Sequence, residues 1–193
     1  MTNNNTTVLT TPIGFSGFST LSESQLRDDG FGYSLDLFLD TSNSEHSEFL
    51  KQLEDIHSQN ISLEKSNGAS SSRDLNMRSV SKADFDFLPD NGNLVRIKLK
   101  SNYAPALFDS EGKEISLNQY LPFMSHVRAR ITIKSYTDRR KTAGTSLYLQ
   151  SVQIAKLGEV KEKSKSETGS NSFKSIEGGD FVGLGTNVDD IQL

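Results

Sequence analysis

The sequence has no cysteine and no tryptophan, only 4 prolines and 3 histidines, and no long apolar run. Without cysteine there is no disulfide framework, no thiolate nucleophile and no cysteine-ligated zinc, so the fold must stand on its core. His46, His57 and His126 are 11 and 69 positions apart, which is no ligand cluster, and no metal or cofactor is expected. No segment reaches the ~18 apolar residues of a membrane-crossing helix. The Asn/Thr-rich opening, Met1 to Thr11, has no basic or apolar signal region, and secretion is not expected. Apolar residues are also scarce: 34% of the chain, with a mean hydropathy of -0.50, against the ~45–50% usual for a packed domain. Part of the chain is therefore expected to lie outside the core. At 193 residues there is room for one domain with appendages.

What is there is an uneven distribution of charge. Residues 1–91 hold 6 basic and 14 acidic side chains, net -8; residues 92–156 hold 11 and 4, net +7; residues 157–193 hold 4 and 7, net -3. A strongly basic middle third inside an acidic protein is the electrostatic footprint of a polyanionic partner.

Hydrophobic spacing organises the chain. Tyr33 to Asp40 alternates apolar and polar side chains as a half-buried strand does. Ser42-Asn43-Ser44-Glu45 has capping-box spacing, and Phe49, Leu50, Leu53 and Ile56 form one stripe of a helix expected to end near His57. Residues 64–80, beginning with the Ser/Gly-rich run to Ser72, read as a mobile loop. After the turn signal Pro89-Asp90-Asn91-Gly92, Val95, Ile97 and Leu99 alternate with Arg96, Lys98 and Lys100. Successive strand residues point to opposite faces, so one face is cationic. Ala106 to Phe108 and Lys113 to Ile115, joined by Asp109-Ser110-Glu111-Gly112, read as a hairpin. Val127, Ala129, Ile131 and Ile133 then alternate with Arg128, Arg130, Thr132 and Lys134, giving a second cationic strand face. The basic connection Thr137 to Thr145 leads into Leu147 to Ile154, whose apolar phase slips and predicts a bulge near Gln150-Ser151. From Gly158 the chain becomes a solvated Lys/Glu/Ser linker, then a weakly acidic tail.

Short strands, close turns and one helix predict a mainly β fold, a Greek-key barrel of the OB type, with a β-sandwich as rival. The expected division is a domain over 1–157 and a tail over 158–193. The curved sheet of such a barrel is a usual seat for oligonucleotides, held by cations on phosphates and aromatic rings under bases. Arg96, Lys98, Lys100, Arg128, Arg130, Lys134, Arg139, Arg140 and Lys141 are the candidate phosphate contacts; Tyr103, Phe108, Tyr136 and Tyr148 are the candidate stacking platforms. No phosphate-cradling glycine motif, nucleophile elbow or paired-histidine helix is present, and no enzyme is expected. Asp28-Asp29 and Asp189-Asp190 read as solvated pairs, and His126 has no nucleophile in sequence reach.

The order of these features over about residues 8–157 resembles the single-stranded DNA-binding proteins of short-tailed, podovirus-type bacteriophages that replicate with their own polymerase and helicase. The most specific part is Val127 to Leu157: the basic strand, Tyr136, the loop with Gly144, then Leu147-Tyr148-Leu149-Gln150-Ser151-Val152-Gln153-Ile154. Thr11-Pro12-Ile13-Gly14, the Tyr33 strand and its following helix fall in the same order. The resemblance implies an OB barrel with one helix that coats single-stranded DNA without sequence preference during replication, recombination and repair. It further implies a homodimer in the cytoplasm of the infected bacterium. Its acidic C-terminal tail would compete with DNA and contact the polymerase and helicase/primase, here through Phe181, Asp189, Asp190 and Leu193. The tail departs from the pattern by ending in Leu193, with its nearest aromatic at Phe181. A virion assembly protein and an RNA-binding barrel are the alternatives that the residues alone leave open, since a basic sheet would suit either.

Overall fold

The computed structural model describes residues 6–22, 32–89, 93–117 and 120–158, which fall in one compact unit, Met1–Val160. Asp28-Asp29, the 90–92 part of the expected turn, the linker from Glu159 and the tail residues Phe181, Asp189, Asp190 and Leu193 lie outside the described residues.

Five strands form the ring on which everything else is hung. They are β2 (Gly14–Thr20), β3 (Tyr33–Asp40), β6 (Leu94–Ser101), β8 (His126–Thr137) and β9 (Thr142–Lys156). β2 pairs β3, β3 pairs β6 and β8 pairs β9, all antiparallel. The ring closes through two thin seams: the antiparallel step between β2 and β8 at Gly14/Val127 and Phe15/His126, and one parallel pair, Lys100 with Tyr148, between β6 and β9. A single sheet curled into a partly open five-stranded ring is the expected OB-type Greek-key barrel rather than a sandwich of two sheets.

Inward-pointing alternate residues fill the ring. Leu35, Leu37 and Leu39 of β3, Ile97 and Leu99 of β6, Val127, Ala129, Ile131 and Ile133 of β8, and Leu149 and Val152 of β9 are all buried. The β8–β9 ladder shifts register between Arg130 and Ile131, which face Ser151 and Leu149, so Gln150 is the extra residue of a bulge where the apolar phase slips. β1 (Thr6–Thr10) continues along β8. Between β1 and β2 the chain bends at Thr11, whose amide donates to Ala129 O and whose Oγ1 accepts from Ala129 N, both at 2.9 Å.

α1 (Ser44–Ser66) lies against β3, β8 and β9 and buries Phe49, Leu50 and Leu53 in the barrel core. Asn43 is the N-cap: its side chain accepts from Glu45 N at 2.9 Å and His46 N at 3.4 Å, while Ser42 hydrogen-bonds the Asp40 carboxylate instead. The helix runs nine residues past the expected end at His57 because its second half is held by polar contacts that an apolar stripe does not reveal. His57 Nδ1 and Asn60 Nδ2 reach Thr145 Oγ1 at 2.9 and 3.3 Å, and the two carboxylate oxygens of Glu64 accept from Ser135 and Thr137 at 2.6 Å each. The expected loop over 64–80 is corrected accordingly. It holds the helix end, β4 (Ser71–Ser72) parallel to β9, and β5 (Met77–Val80) antiparallel to β6. β7 (Ala106–Phe108) pairs parallel with β9, and Phe108 bridges Glu114 across the expected turn.

Leu53 is 1% exposed and ties the helix to the barrel. Leu53→Ala should cost about 2–5 kcal/mol, the range for emptying a buried leucine site. Urea unfolding would read this as a lowered midpoint at unchanged slope; a loss under about 0.5 kcal/mol, the size of an ordinary surface change, would show that the helix does not depend on this contact.

Candidate nucleic-acid interface

Residues opposite one another on paired strands share a face, so the registers place the outward side chains directly. Tyr136 stands opposite Gly144, Lys134 opposite Ser146, Thr132 opposite Tyr148, Arg130 opposite Ser151 and Arg128 opposite Gln153. The rows extend sideways. Lys100 on β6 and Val8 on β1 join the row of Tyr148 and Thr132; Phe108 on β7 joins the row of Gln153 and Arg128. One continuous outer surface thereby collects Lys100, Phe108, Arg128, Arg130, Lys134, Tyr136 and Tyr148, drawn from four strands.

The side chains on it are held, but their charges remain open to solvent. Arg128 Nε donates to Gln153 Oε1 at 2.7 Å, and Gln153 Nε2 in turn donates to Asp109 O at 2.9 Å, fixing the guanidinium on the sheet. Tyr148 is 41% exposed, with Lys134 Nζ 6.0 Å from its ring centroid. Tyr136 lies over Gly144, where any Cβ would fall 2.4 Å from the phenol Cζ and hydroxyl. Glycine is needed there to let the ring lie flat on the backbone.

Arg139, Arg140 and Lys141 are exposed in the β8–β9 turn beyond Tyr136. Asp138 builds this turn: its carboxylate accepts from Arg140 N at 2.8 Å and Thr142 N at 2.9 Å, and Arg73 Nη2 lies 3.0 Å from it. Lys141 takes a left-handed conformation, φ 59°. The backbone hydrogen bond from Thr142 leads the causes that hold the Asp138 carboxyl below its ordinary value, followed by that from Arg140 and the charge of Arg73, so the anchor stays ionised well into acid.

Not every expected cation joins this face. Arg96 sits at the far end of β6 with its Nη2 2.8 Å from Oδ2 of the buried Asp36, off the line of a hydrogen bond, and its guanidinium 5.5 Å from the Phe85 ring centre. Its charge is committed to Asp36, a partner from the opposite strand that local alternation does not reveal. Lys98 shares the outward side of β6 with Lys100 and is half-buried. Tyr103 is 83% exposed in the connection between β6 and β7. Gln153, and Lys156 opposite His126, belong to the surface and were not expected; a lone polar residue near a strand end carries no local signal. Among the described residues no group of three or more His, Asp or Glu is placed to hold a metal ion.

No protein-family model matches the sequence, and no curated protein does. Solved structures do. The chain superposes on gp2.5, a single-stranded DNA-binding protein encoded by bacteriophage T7, with a TM-score of 0.61 at 13% identity, over 80% of this chain and 89% of that one. The single-stranded DNA-binding protein of bacteriophage Enc34, in complex with single-stranded DNA, gives 0.59 at 17% identity over 79% and 88%. A structure of the Enc34 protein alone gives 0.57 at 16% over 82% and 86%. The chain has the fold of these phage proteins.

Two outcomes follow from the turn and the glycine. Gly144→Ala should swing the free end of the Tyr136 ring outward at little cost in stability; the ring-current shift at residue 144 would vanish by NMR, and its persistence would contradict the stacked placement. The amide resonances of Arg140 and Thr142 should titrate together with a midpoint below the ordinary aspartate value of ~3.9. A depressed carboxyl contributes stability above its unfolded value and loses it as pH falls through the folded one, so the turn should loosen only in that acidic window; a midpoint at or above ~3.9 would contradict it.

Proposed function

We propose that this chain is a non-enzymatic, sequence-nonspecific single-stranded DNA-binding protein that coats and protects single strands during phage DNA replication and recombination in the infected bacterial cell. The observation that carries the reading is the outer β8–β9 surface, where cations and aromatic rings from four strands are interleaved on one face. Arg128, Arg130, Lys134 and Lys100 would neutralise phosphates, and counterion release would supply most of the affinity and make it fall with salt. Tyr148, Tyr136 and Phe108 offer ring faces to bases, and stacking does not distinguish one base from another. From Tyr136 to Arg128 the strand spans roughly 26 Å, enough for several nucleotides. The likeness in fold to phage proteins that bind single-stranded DNA supports the same reading. By resemblance, the proposal includes a homodimer and contacts with the phage polymerase and helicase/primase through the C-terminal segment, where Phe181, Asp189, Asp190 and Leu193 lie.

The test is fluorescence anisotropy of labelled oligo-dT of about 30 nucleotides at several salt concentrations, with duplex DNA and matched RNA as competitors. Binding should weaken with salt and survive duplex. Arg128→Ala and Arg130→Ala should each reduce the slope of log affinity against log salt by about 0.7; Tyr148→Ala should cost about 1–3 kcal/mol. Absence of binding at low salt, or preference for RNA, would overturn the proposal.

A further inference from the structure

A second group of aromatic rings lies on the outside of the barrel, around β2 and β3, and the cationic face does not use it. Phe38 is fully buried there and, with Val80, Leu88 and Leu94, seals the outer wall. Phe85 and Phe87 pack over it. Two further rings are left facing solvent: Phe18 is 54% exposed and Phe123 41%. Phe123 stacks parallel on Phe87, centroids 4.4 Å apart and planes within 1°, while Phe18 meets Phe123 edge-on at 5.1 Å.

The backbone is built to hold these two rings where they are. β2 shifts register between Ser16 and Ser19, and this irregularity carries Phe18. Gly17 lies against Phe38, where a Cβ would fall 2.3 Å from ring carbon Cε2. Phe123 sits on a turn pinned by two fully buried serines. Ser16 N donates to Ser125 O at 2.8 Å, Met124 N to Ser16 O at 2.9 Å, Ser16 Oγ to Pro122 O at 3.0 Å and Ser125 Oγ to Pro122 O at 2.7 Å. Met124 next to it is held at φ 61°, a left-handed conformation that a non-glycine residue keeps only when its surroundings over-determine it. Filling a core would not require a bulge, a strained residue and a buried serine pair to present two phenylalanines to water.

The patch is continuous with the cationic face. Phe15 of β2 meets the His126 ring edge-on at 5.0 Å. His126 precedes Arg128 by two residues on the outward side of β8 and stands opposite Lys156. Arg130, Arg128, then His126 with Lys156 therefore lead to Phe15, which packs against the same Phe38 cluster as Phe85 and Phe87. The pair Arg78 and Asp84, 3.9 Å apart, lies beside Phe85. Cations on the approach and ring faces at the end are the chemistry of a nucleobase site rather than of an apolar protein contact.

We propose that Phe18 and Phe123 form a second base-stacking subsite, reached by single-stranded DNA that leaves the β8–β9 face past Arg128 and His126. This rests on the proposed function and lengthens its binding path. Because the chain has no tryptophan, Phe123→Trp in the full-length protein is a single reporter. Oligo-dT of about 16 nucleotides should quench its emission, whereas about 6 nucleotides should bind and leave it unchanged. The double variant Phe18→Ala/Phe123→Ala should bind the longer strand about 5-fold or more weakly and the shorter one normally. A long strand that binds by anisotropy yet neither quenches the tryptophan nor senses the double substitution would overturn the subsite alone. Failure of every strand to bind the unmodified protein would overturn the parent function as well.

Discussion

The register of the β8–β9 ladder is the constraint on which the rest of the structure depends. Side chains in a strand alternate faces, so a slip of one residue would turn every buried residue outward and every arginine inward. Val127, Ala129, Ile131 and Ile133 are at most 1% exposed, and any such slip would put Arg128, Arg130 and Lys134 in their place, at the cost of desolvating unpaired charges. The hydrophobic demand of the barrel interior thus sets the cationic character of its exterior. At Gln150 the bulge absorbs one residue, and without it the outward positions of β9 beyond Leu149 would fall out of step with those of β8.

The two faces of this ladder are supported from different directions. Inside, apolar packing from β3, β6 and α1 fixes the middle of the sheet. Toward the β8–β9 turn the support becomes polar: Glu64 receives both Ser135 and Thr137, His57 and Asn60 reach Thr145, and Arg73 meets Asp138. Burial lowers the tendency of His57 to protonate, with the charge of Asp74 opposing, so it is more readily kept neutral beside Thr145. A turn rich in Arg and Lys repels itself, and this polar bracing lets it project while remaining attached to the barrel.

Strand alternation made much of the fold legible in the sequence. The Tyr33 strand, both cationic strands and the bulge near Gln150 follow from period-two patterning, and the 109–112 turn from its Asp-Ser-Glu-Gly residues. The number of strands and turns around one helix points to the OB class, and the β2–β8 and β6–β9 seams decide it against a sandwich. β1 and β2 escaped because their Thr-, Ser- and Gly-rich sequences alternate too weakly to read as strands; the rest of what escaped depends on contacts between residues distant in sequence. The second half of α1 is held by hydroxyls from β8 and β9, so its stripe of His57, Asn60 and Glu64 looks solvated when read alone. Arg96 looks equivalent to Lys98 and Lys100 until Asp36 arrives from β3. Phe18, Phe87 and Phe123 lie on three separate segments, and only the folded chain assembles them.

The most direct measurement is a backbone NMR titration of the isotopically labelled protein with a short oligo-dT. The account predicts shift changes concentrated on the outward residues of β8 and β9, from Arg128 through Tyr136 and at Tyr148, with α1 unaffected. Changes centred on α1 or on the β5 edge, with the β8–β9 surface silent, would contradict it.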